Sequence, residues 1–336
     1  MPVSTVHAPK ALVTPPPEPL VPVRYVDIGG RGPEDVVTDA RGRVLTGVED
    51  GRILRLDGLT DPGPRGPRVE LLADTGGRPL GLEPLPDGTL LVCDAVRGLL
   101  NVDLTDGRVR VLADSVAGER LRFASNAVAL PDGSVHFTVS SRRHPLEHWI
   151  GDLVEHTGTG RLLRLAPGAR EPEVLLEGLQ FANGLAASAD GSFLVVAETG
   201  AHRLTRYRLT GPGAGRAEPF AADLPGLPDN LWRRGSGGPV WAALAGPRVP
   251  ALDLLHHAAP AAVRRGAARA ARRVPFRPTG MVGLLALDDT GTVLHHLTRR
   301  HSRFRMVTSV CETDGHLVLG SLWEHGVAVC AAPPPK

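Results

Sequence analysis

Short apolar runs recur along the whole chain, each bounded by a turn containing Gly, and their alternation with polar residues marks them as strands. One unit repeats: an apolar run, an Asp-Gly turn and a second apolar run. It occurs as Gly81-Leu-Glu-Pro-Leu-Pro-Asp-Gly-Thr-Leu-Leu-Val, Asn126-Ala-Val-Ala-Leu-Pro-Asp-Gly-Ser-Val-His-Phe-Thr-Val, Asn183-Gly-Leu-Ala-Ala-Ser-Ala-Asp-Gly-Ser-Phe-Leu-Val-Val and Val307-Thr-Ser-Val-Cys-Glu-Thr-Asp-Gly-His-Leu-Val-Leu. Asp-Gly between strand-forming runs is the strongest short-range hairpin signal. Weaker copies start near Glu34, with Gly42 in the turn, and near Asp229, with Gly235 to Gly238 in the turn, which makes six.

A third strand follows each hairpin, as in Gly51-Arg-Ile-Leu-Arg-Leu, Gly160-Arg-Leu-Leu-Arg-Leu and His202-Arg-Leu-Thr-Arg-Tyr-Arg-Leu. Outer strands are expected at Val69 to Ala73, Val109 to Ala113, Glu173 to Leu176, Ala217 to Ala221 and Val293 to Leu297. Four short antiparallel strands repeating about every 45 residues predict an all-β fold, a six-bladed β-propeller with four-stranded antiparallel blades. A strand from Val21 to Val26, beside the segment ending near Val329, is expected to complete the last blade and close the ring, hiding the sheet edges. On this reading 1–20 is an extended N-terminal segment, 21–330 a single propeller domain and 331–336 a disordered tail. Residues 251–273 break the pattern: they predict a helical insertion interrupted by Pro260, made basic by Arg264, Arg265, Arg269, Arg272 and Arg273. It reads first as a solvated helix covering the propeller's edge or face, and second as a membrane-surface or partner-binding helix.

Composition supports many strands and turns. The 336 residues include 40 Gly and 31 Pro, with 42% hydrophobic residues, enough for a real core. The net charge is +2, with 38 basic residues nearly matched by 36 acidic ones, so electrostatics alone suggests no nucleic-acid partner. Cys93, Cys311 and Cys330 show no paired spacing, which excludes a Cys-based zinc or iron–sulfur site within the chain. Met1 to Pro22 lacks the apolar core of a signal peptide, and no run approaches the roughly 18 apolar residues of a membrane span. A cytoplasmic protein without a transmembrane segment is expected, acting on a small-molecule substrate.

The innermost strand of each blade lines a central channel, so equivalent positions of different repeats converge. Aligning the hairpins brings Glu34, Glu83, Asn126, Asn183, Asp229 and Thr308 to one level, and all six carry oxygen. Apolar residues would be expected there in a purely structural channel, because an unpaired buried polar group costs roughly 2 to 7 kcal/mol. Glu34, Asn126, Asn183 and Asp229 together offer two carboxylates and two amide carbonyls, a hard-oxygen set suited to Ca²⁺ rather than zinc. The alternative is that these groups cap turns at the channel mouth, since Asn-Gly and Asp-Asn are ordinary turn pairs.

Phe181-Ala-Asn-Gly-Leu, Ala189-Asp-Gly-Ser-Phe-Leu-Val-Val-Ala-Glu-Thr and Ala222-Asp-Leu-Pro-Gly-Leu-Pro-Asp-Asn resemble the strictosidine synthase-like family, within the calcium-dependent phosphotriesterase and gluconolactonase superfamily. Gly76-Gly-Arg-Pro-Leu-Gly-Leu, Ser140-Ser-Arg-Arg and Asp314-Gly-His-Leu-Val-Leu-Gly-Ser-Leu extend the resemblance over about residues 30 to 330. It implies a six-bladed propeller with one ion in the channel, its four metal-binding positions falling on Glu34, Asn126, Asn183 and Asp229. Three departures stand out. Thr308 matches the channel glutamate that alkaloid-forming members use for Pictet–Spengler condensation, and the nearest acid, Glu312, lies toward the far end of the same strand. Ala127 and Val139 stand where hydrolytic relatives commonly have Asp.

Such an ion would polarise a lactone, ester or phosphoryl oxygen. Asp229, kept ionised beside the cation, is the candidate general base or nucleophile, and proton transfer to a leaving group falls to a histidine. The candidates are His144, His148 and His156, in a long connection from Arg142 to Thr159 where a propeller places a lid. Glu198 is expected to be structural. Three readings follow: a calcium-dependent hydrolase, a non-hydrolytic enzyme of specialised metabolism forming or rearranging rings, and a non-catalytic propeller with structural calcium.

Overall fold

Asp87, Asp132 and Asp190 close their hairpins by the same local chemistry, each accepting at Oδ1 from the backbone N–H two residues on, whereas at Asp314-Gly315 both residues take left-handed φ. Asp132 Oδ1 accepts from Ser134 N at 2.9 Å, and Gly133 takes the left-handed φ of 80° that a tight turn needs. The structure, a computed structural model, describes residues 14–20, 23–64, 66–235 and 237–336.

Successive hairpins build six four-stranded antiparallel blades arranged as a β-propeller. Blade 1 runs outward from the channel through Val36–Thr38, Val44–Gly47, Arg52–Asp57 and Arg68–Asp74. Blade 2 uses Pro79–Pro84, Thr89–Asp94, Gly98–Asp103 and Val109–Ala113; blade 3 uses Ala124–Ala129, Val135–Val139, Gly160–Leu165 and Glu173–Leu179. Blade 4 comprises Ala182–Ala187, Phe193–Glu198, Arg203–Arg208 and Ala217–Ala221. Blade 5 comprises Gly226–Trp232, Val240–Pro247, Val282–Leu287 and Val293–Arg299, and Glu18–Pro19 adds a parallel strand at its outer edge. Blade 6 begins with Val307–Thr313, His316–Ser321 and Gly326–Ala331, and its fourth strand, Arg24–Asp27, comes from near the other end of the chain. Arg24 pairs with Val329 and Asp27 with Gly326, so the ring closes as expected, with the strand later than the expected Val21 to Val26. Val21 and Pro22 lie outside the described residues.

Apolar side chains fill the spaces between blades. Leu91, Phe137 and Leu163 pack between blades 2 and 3, and Val195, Leu231 and Leu285 between blades 4 and 5. The final residues run on as an arm whose Lys336 Nζ donates to Glu18 Oε1 at 2.7 Å.

Two insertions interrupt the blades between their second and third strands. Blade 3 carries helix α1, Trp149–Glu155. Blade 5 carries α2, Pro250–Ala258, and α3, Ala261–Ala271, with Pro260 at the α3 N-cap, where its missing N–H costs no helical bond. The insertions pack together: His256 Nε2 donates to Leu153 O at 2.8 Å, and the His256 and His156 rings stack 4.0 Å apart. α1 and α2 cover one mouth of the channel as a lid, and the basic α3 packs against α1. Among the described residues no helix is long and apolar enough to cross a membrane.

Candidate metal centre

The innermost strands of blades 2 to 5 break register at one level, between Pro79 and Leu82, Ala124 and Ala127, Ala182 and Leu185, and Pro228 and Leu231. At each break two residues oppose one on the next strand, a β-bulge that re-aims adjacent side chains. The bulged pairs are Leu80 and Gly81, Ser125 and Asn126, Asn183 and Gly184, and Asp229 and Asn230. Gly184 is required here. A Cβ on it would lie 2.3 Å from Leu231 N and 2.4 Å from Asp229 O, so only glycine lets blades 4 and 5 approach so closely.

The bulges gather polar groups at the floor of a cavity of about 230 Å³ beneath the lid. Glu34, Asn183 and Asp229 line it with Ser125, Thr199 and Thr308. Asn183 Nδ2 donates to Asp229 Oδ1 at 2.6 Å, while Ser125 Oγ donates to Asn183 Oδ1 at 2.8 Å. Asn230 Nδ2 donates to Glu34 Oε1 at 3.0 Å, and Thr308 Oγ1 donates to the Glu34 backbone oxygen at 2.5 Å. Glu34 Oε2 and Asn230 Oδ1 are buried without a hydrogen-bond partner. Two buried oxygens left unpaired are acceptors for a cation or a donor.

Charge points the same way. Glu34, Asp35 and Asp229 are all buried. Burial, followed by the nearby Asp229 and Asp35 carboxylates, holds the Glu34 carboxyl well above its ordinary range. Burial also pushes Asp229 up to about 8, against the Asn183 hydrogen bond, and Asp35 up to about 7. The buried Arg78 guanidinium is the cation acting on Glu34, and burial lowers its own pKa. Three buried carboxyls raised together are held toward their protonated forms, and a divalent cation would supply the charge that lets them ionise. Among the described residues no group of three or more His, Cys, Asp or Glu surrounds a metal-sized point, so amide oxygens are essential to this donor set.

Asn126 is placed differently. Its Oδ1 accepts from Leu185 N at 3.2 Å, and it lines the hollow at the other end of the channel with Asp35 and Glu83. To join Glu34, Asn183 and Asp229 around an ion it would have to exchange that bond. Asn230, read from sequence only as half of a turn pair, takes the place beside Glu34. Asp35 is occupied by backbone, accepting from Leu82 N at 2.8 Å and Val36 N at 2.9 Å, and so ties blade 1 to blade 2.

The three histidines belong to the lid and its rim and do not line the floor. Buried His144 accepts at Nδ1 from Arg272 Nη2 at 3.0 Å; because guanidinium only donates, the proton sits on Nε2, which meets Glu155 Oε2 at 2.9 Å. That ring clamps α1 to α3. His148 lies on the wall of a neighbouring groove, and His156 ends α1 in a left-handed conformation with its pKa lowered by burial to about 4. Glu198 is fully buried, paired with Arg203 through both oxygens at 2.7 and 2.9 Å and bonded to Gln180 N.

Over residues 126–212 the chain matches the strictosidine synthase family, and over residues 20–56 the strictosidine synthase-like N-terminal family. Strictosidine synthase-like 10 of Arabidopsis thaliana is 31% identical over 325 residues, spanning 88% of this chain and 83% of the relative. The chain belongs to the strictosidine synthase-like family. Adipocyte plasma membrane-associated protein of Salmo salar is 35% identical over 237 residues, or 67% of this chain and 56% of that protein. Strictosidine synthase-like 13 of Arabidopsis thaliana is 37% identical over 246 residues, or 67% of this chain and 60% of that protein. This chain thus spans little more than half the length of those two relatives. A gluconolactonase from Xanthomonas campestris superposes with a TM-score of 0.65 at 17% identity, covering 97% of this chain and 98% of its own. Regucalcin, a calcium-binding protein from Agrobacterium tumefaciens, does so with a TM-score of 0.58 at 16% identity, covering 90% of each chain. At such identities the likeness is one of fold.

In this strictosidine synthase-like chain the three departures have structural counterparts. Thr308 contributes a hydroxyl committed to the Glu34 backbone. Glu312 lines a hollow with Trp232 and Arg233, away from the cavity. Ala127 and Val139 pack with Phe137 in the apolar core of blade 3, where a carboxylate would be buried among hydrocarbons.

Proposed function

We propose that the chain is a calcium-dependent hydrolase of an apolar lactone, ester or phosphotriester, with the ion held by Glu34, Asn183, Asp229 and Asn230 and by Asn126 on exchange of its bond to Leu185. The observation that carries this reading is the partnerless buried oxygen Glu34 Oε2 on the floor of the cavity of about 230 Å³ beside Asn183 and Asp229, with a second orphaned oxygen, Asn230 Oδ1, on the residue that bonds Glu34. Bound calcium supplies Lewis acidity toward a carbonyl or phosphoryl oxygen. Asn183 fixes the Asp229 carboxylate through its 2.6 Å hydrogen bond, leaving Oδ2 to take a proton from water. The same carboxyl then returns the proton to the departing alkoxide. Phe123, Phe181, Leu153 and Met306 wall the cavity and limit bulk water around that exchange.

Thr308 weighs against acid-catalysed condensation, since its hydroxyl is already donated and carries no carboxyl. The test is elemental analysis of protein purified without chelator, followed by a lactone, aryl ester and phosphotriester panel with and without chelator. About one calcium per chain is expected, and Asp229→Asn should lower turnover by roughly 10² to 10⁴. Zinc in place of calcium, or an active wild type whose Asp229→Asn variant keeps full turnover and its metal, overturns the assignment. A protein that binds calcium but turns over nothing on the panel supports the structural-ion reading instead.

A further inference from the structure

Beside the lidded cavity lies a larger hollow of about 710 Å³. Arg31, Arg78, Arg120, Arg122 and Arg272 line it against two carboxylates, Glu49 and Glu147. Two of these guanidinium groups are committed: Arg78 donates to Gly32 O at 2.9 Å, and Arg272 to His144. The other three are available. Arg31 lies 5.3 Å above the Trp323 ring and has a 3.5 Å pair with a half-exposed Glu49. Arg120 makes a 3.4 Å contact with Val96 O, and the carboxylate next to it, Glu119, is taken by Arg142 and Arg161. Exposed Arg122 has no carboxylate in ion-pair range among the described residues.

Hollow and cavity share a wall of Leu146, Trp149, Ile150, Phe276, Met306 and Leu322. Phe276 meets Trp149 edge-on at 5.1 Å and Trp323 at 6.3 Å. A cationic vestibule therefore adjoins an aromatic neck, which adjoins an apolar chamber with an oxygen-lined floor. A molecule occupying all of it is charged at one end, apolar in the middle and polar at the bond facing the floor.

We propose that the arginine-lined hollow binds a carboxylate carried by the substrate at the end remote from the reacting bond, so that the substrate class is an amphipathic carboxylate bearing an ester or lactone. The reaction named here rests on the hydrolase reading; the carboxylate site stands on the hollow itself. Guanidinium presents paired N–H donors that match a planar carboxylate, and a cluster of them raises the local concentration of anions before contact. The apolar neck selects for an attached hydrocarbon body, because a fully hydrated anion gains nothing by entering it.

The test compares two esters on the calcium-loaded full chain, mono-4-nitrophenyl suberate and its methyl ester, which differ in the terminal charge and one methyl group, with release of 4-nitrophenolate as the readout. The acid should show a kcat/KM about tenfold higher at roughly 0.05 M salt, with the advantage shrinking to under threefold at roughly 0.5 M. In the Arg120→Ala, Arg122→Ala double variant the acid-to-methyl-ester ratio should fall to about 1–2. Binding of 8-phenyloctanoate against 8-phenyloctan-1-ol, read by Trp fluorescence, separates the two proposals. Tighter binding of the acid that depends on the arginines, without turnover of either ester, keeps the carboxylate site and removes the hydrolase. Turnover of both esters without preference for the acid, or a preference that survives in the double variant, overturns the carboxylate site and leaves the hydrolase standing.

Discussion

Asp229→Asn should raise the stability of the metal-free protein and lose part of that advantage when calcium is bound, and the sign follows from burial. In the metal-free protein Asp229 is pushed up to about 8 from an ordinary value of 3.8, mainly by burial. Between those values the folded chain retains a proton that the unfolded chain releases. The group's contribution is therefore complete below pH 3.8 and is lost as pH rises toward 8. Holding one extra proton costs about 1.4 kcal/mol per pH unit, so metal-free wild type should lose about 3 kcal/mol between pH 5 and pH 7 through Asp229 alone. Glu34, also raised, adds to the slope in the same direction. Asparagine keeps an acceptor for Asn183 Nδ2 and has no proton to hold, so the variant should be more stable than metal-free wild type at pH 7 by roughly 2 to 4 kcal/mol. With calcium the gap narrows. Wild type at about a hundred times its dissociation constant gains about 2.7 kcal/mol, and the variant, short of one charge, gains less. Urea unfolding at pH 5, 6 and 7, with chelator and with excess calcium, measures all four quantities. A chelated wild type whose stability is flat or rising from pH 5 to 7, or a variant with the same slope, would refute the account of the buried carboxylates.

Deleting residues 1–28 removes the strand Arg24–Asp27 and takes Leu20, Val26 and Ile28 from the core, at a cost of roughly 5 kcal/mol or more, and exposes the edge of Gly326–Ala331. Soluble yield and thermal midpoint should both drop, and an unchanged midpoint contradicts the closure. Gly184→Ala should destabilise by roughly 3 kcal/mol, because its Cβ meets backbone of blade 5, and should weaken calcium binding measured by calorimetry; a neutral effect would mean that the blades are not so closely apposed. Among the described residues His144→Ala leaves Glu155 with only Arg143, at 3.1 Å, and should cost about 1 to 3 kcal/mol in urea unfolding. A fall in turnover as large as that of Asp229→Asn would return His144 to the chemistry.

Whatever depends on local pattern is legible in the order of residues. Asp-Gly turns and period-two apolar runs specify hairpins wherever they fall, and the repeat of those hairpins specifies six blades and a closing strand. The expected outer strands Val109 to Ala113 and Ala217 to Ala221 are reproduced residue for residue. Aligning repeats also singled out Glu34, Asn183 and Asp229, because symmetry converts distant positions into neighbours. Tertiary structure alone decided the rest. Strict alternation places consecutive residues on opposite faces, so Asp229 and Asn230 cannot both serve one site until a bulge, set by the packing of blades 4 and 5, turns them together. Asn126 lies at the right level, yet the backbone N–H of Leu185 in the next blade takes its oxygen. The histidines of the long connection were visible as a cluster, but their direction depends on two helices inserted about a hundred residues later in the chain. Once Arg272 at the end of α3 is in place, His144 is held in the lid, where both of its ring nitrogens find partners.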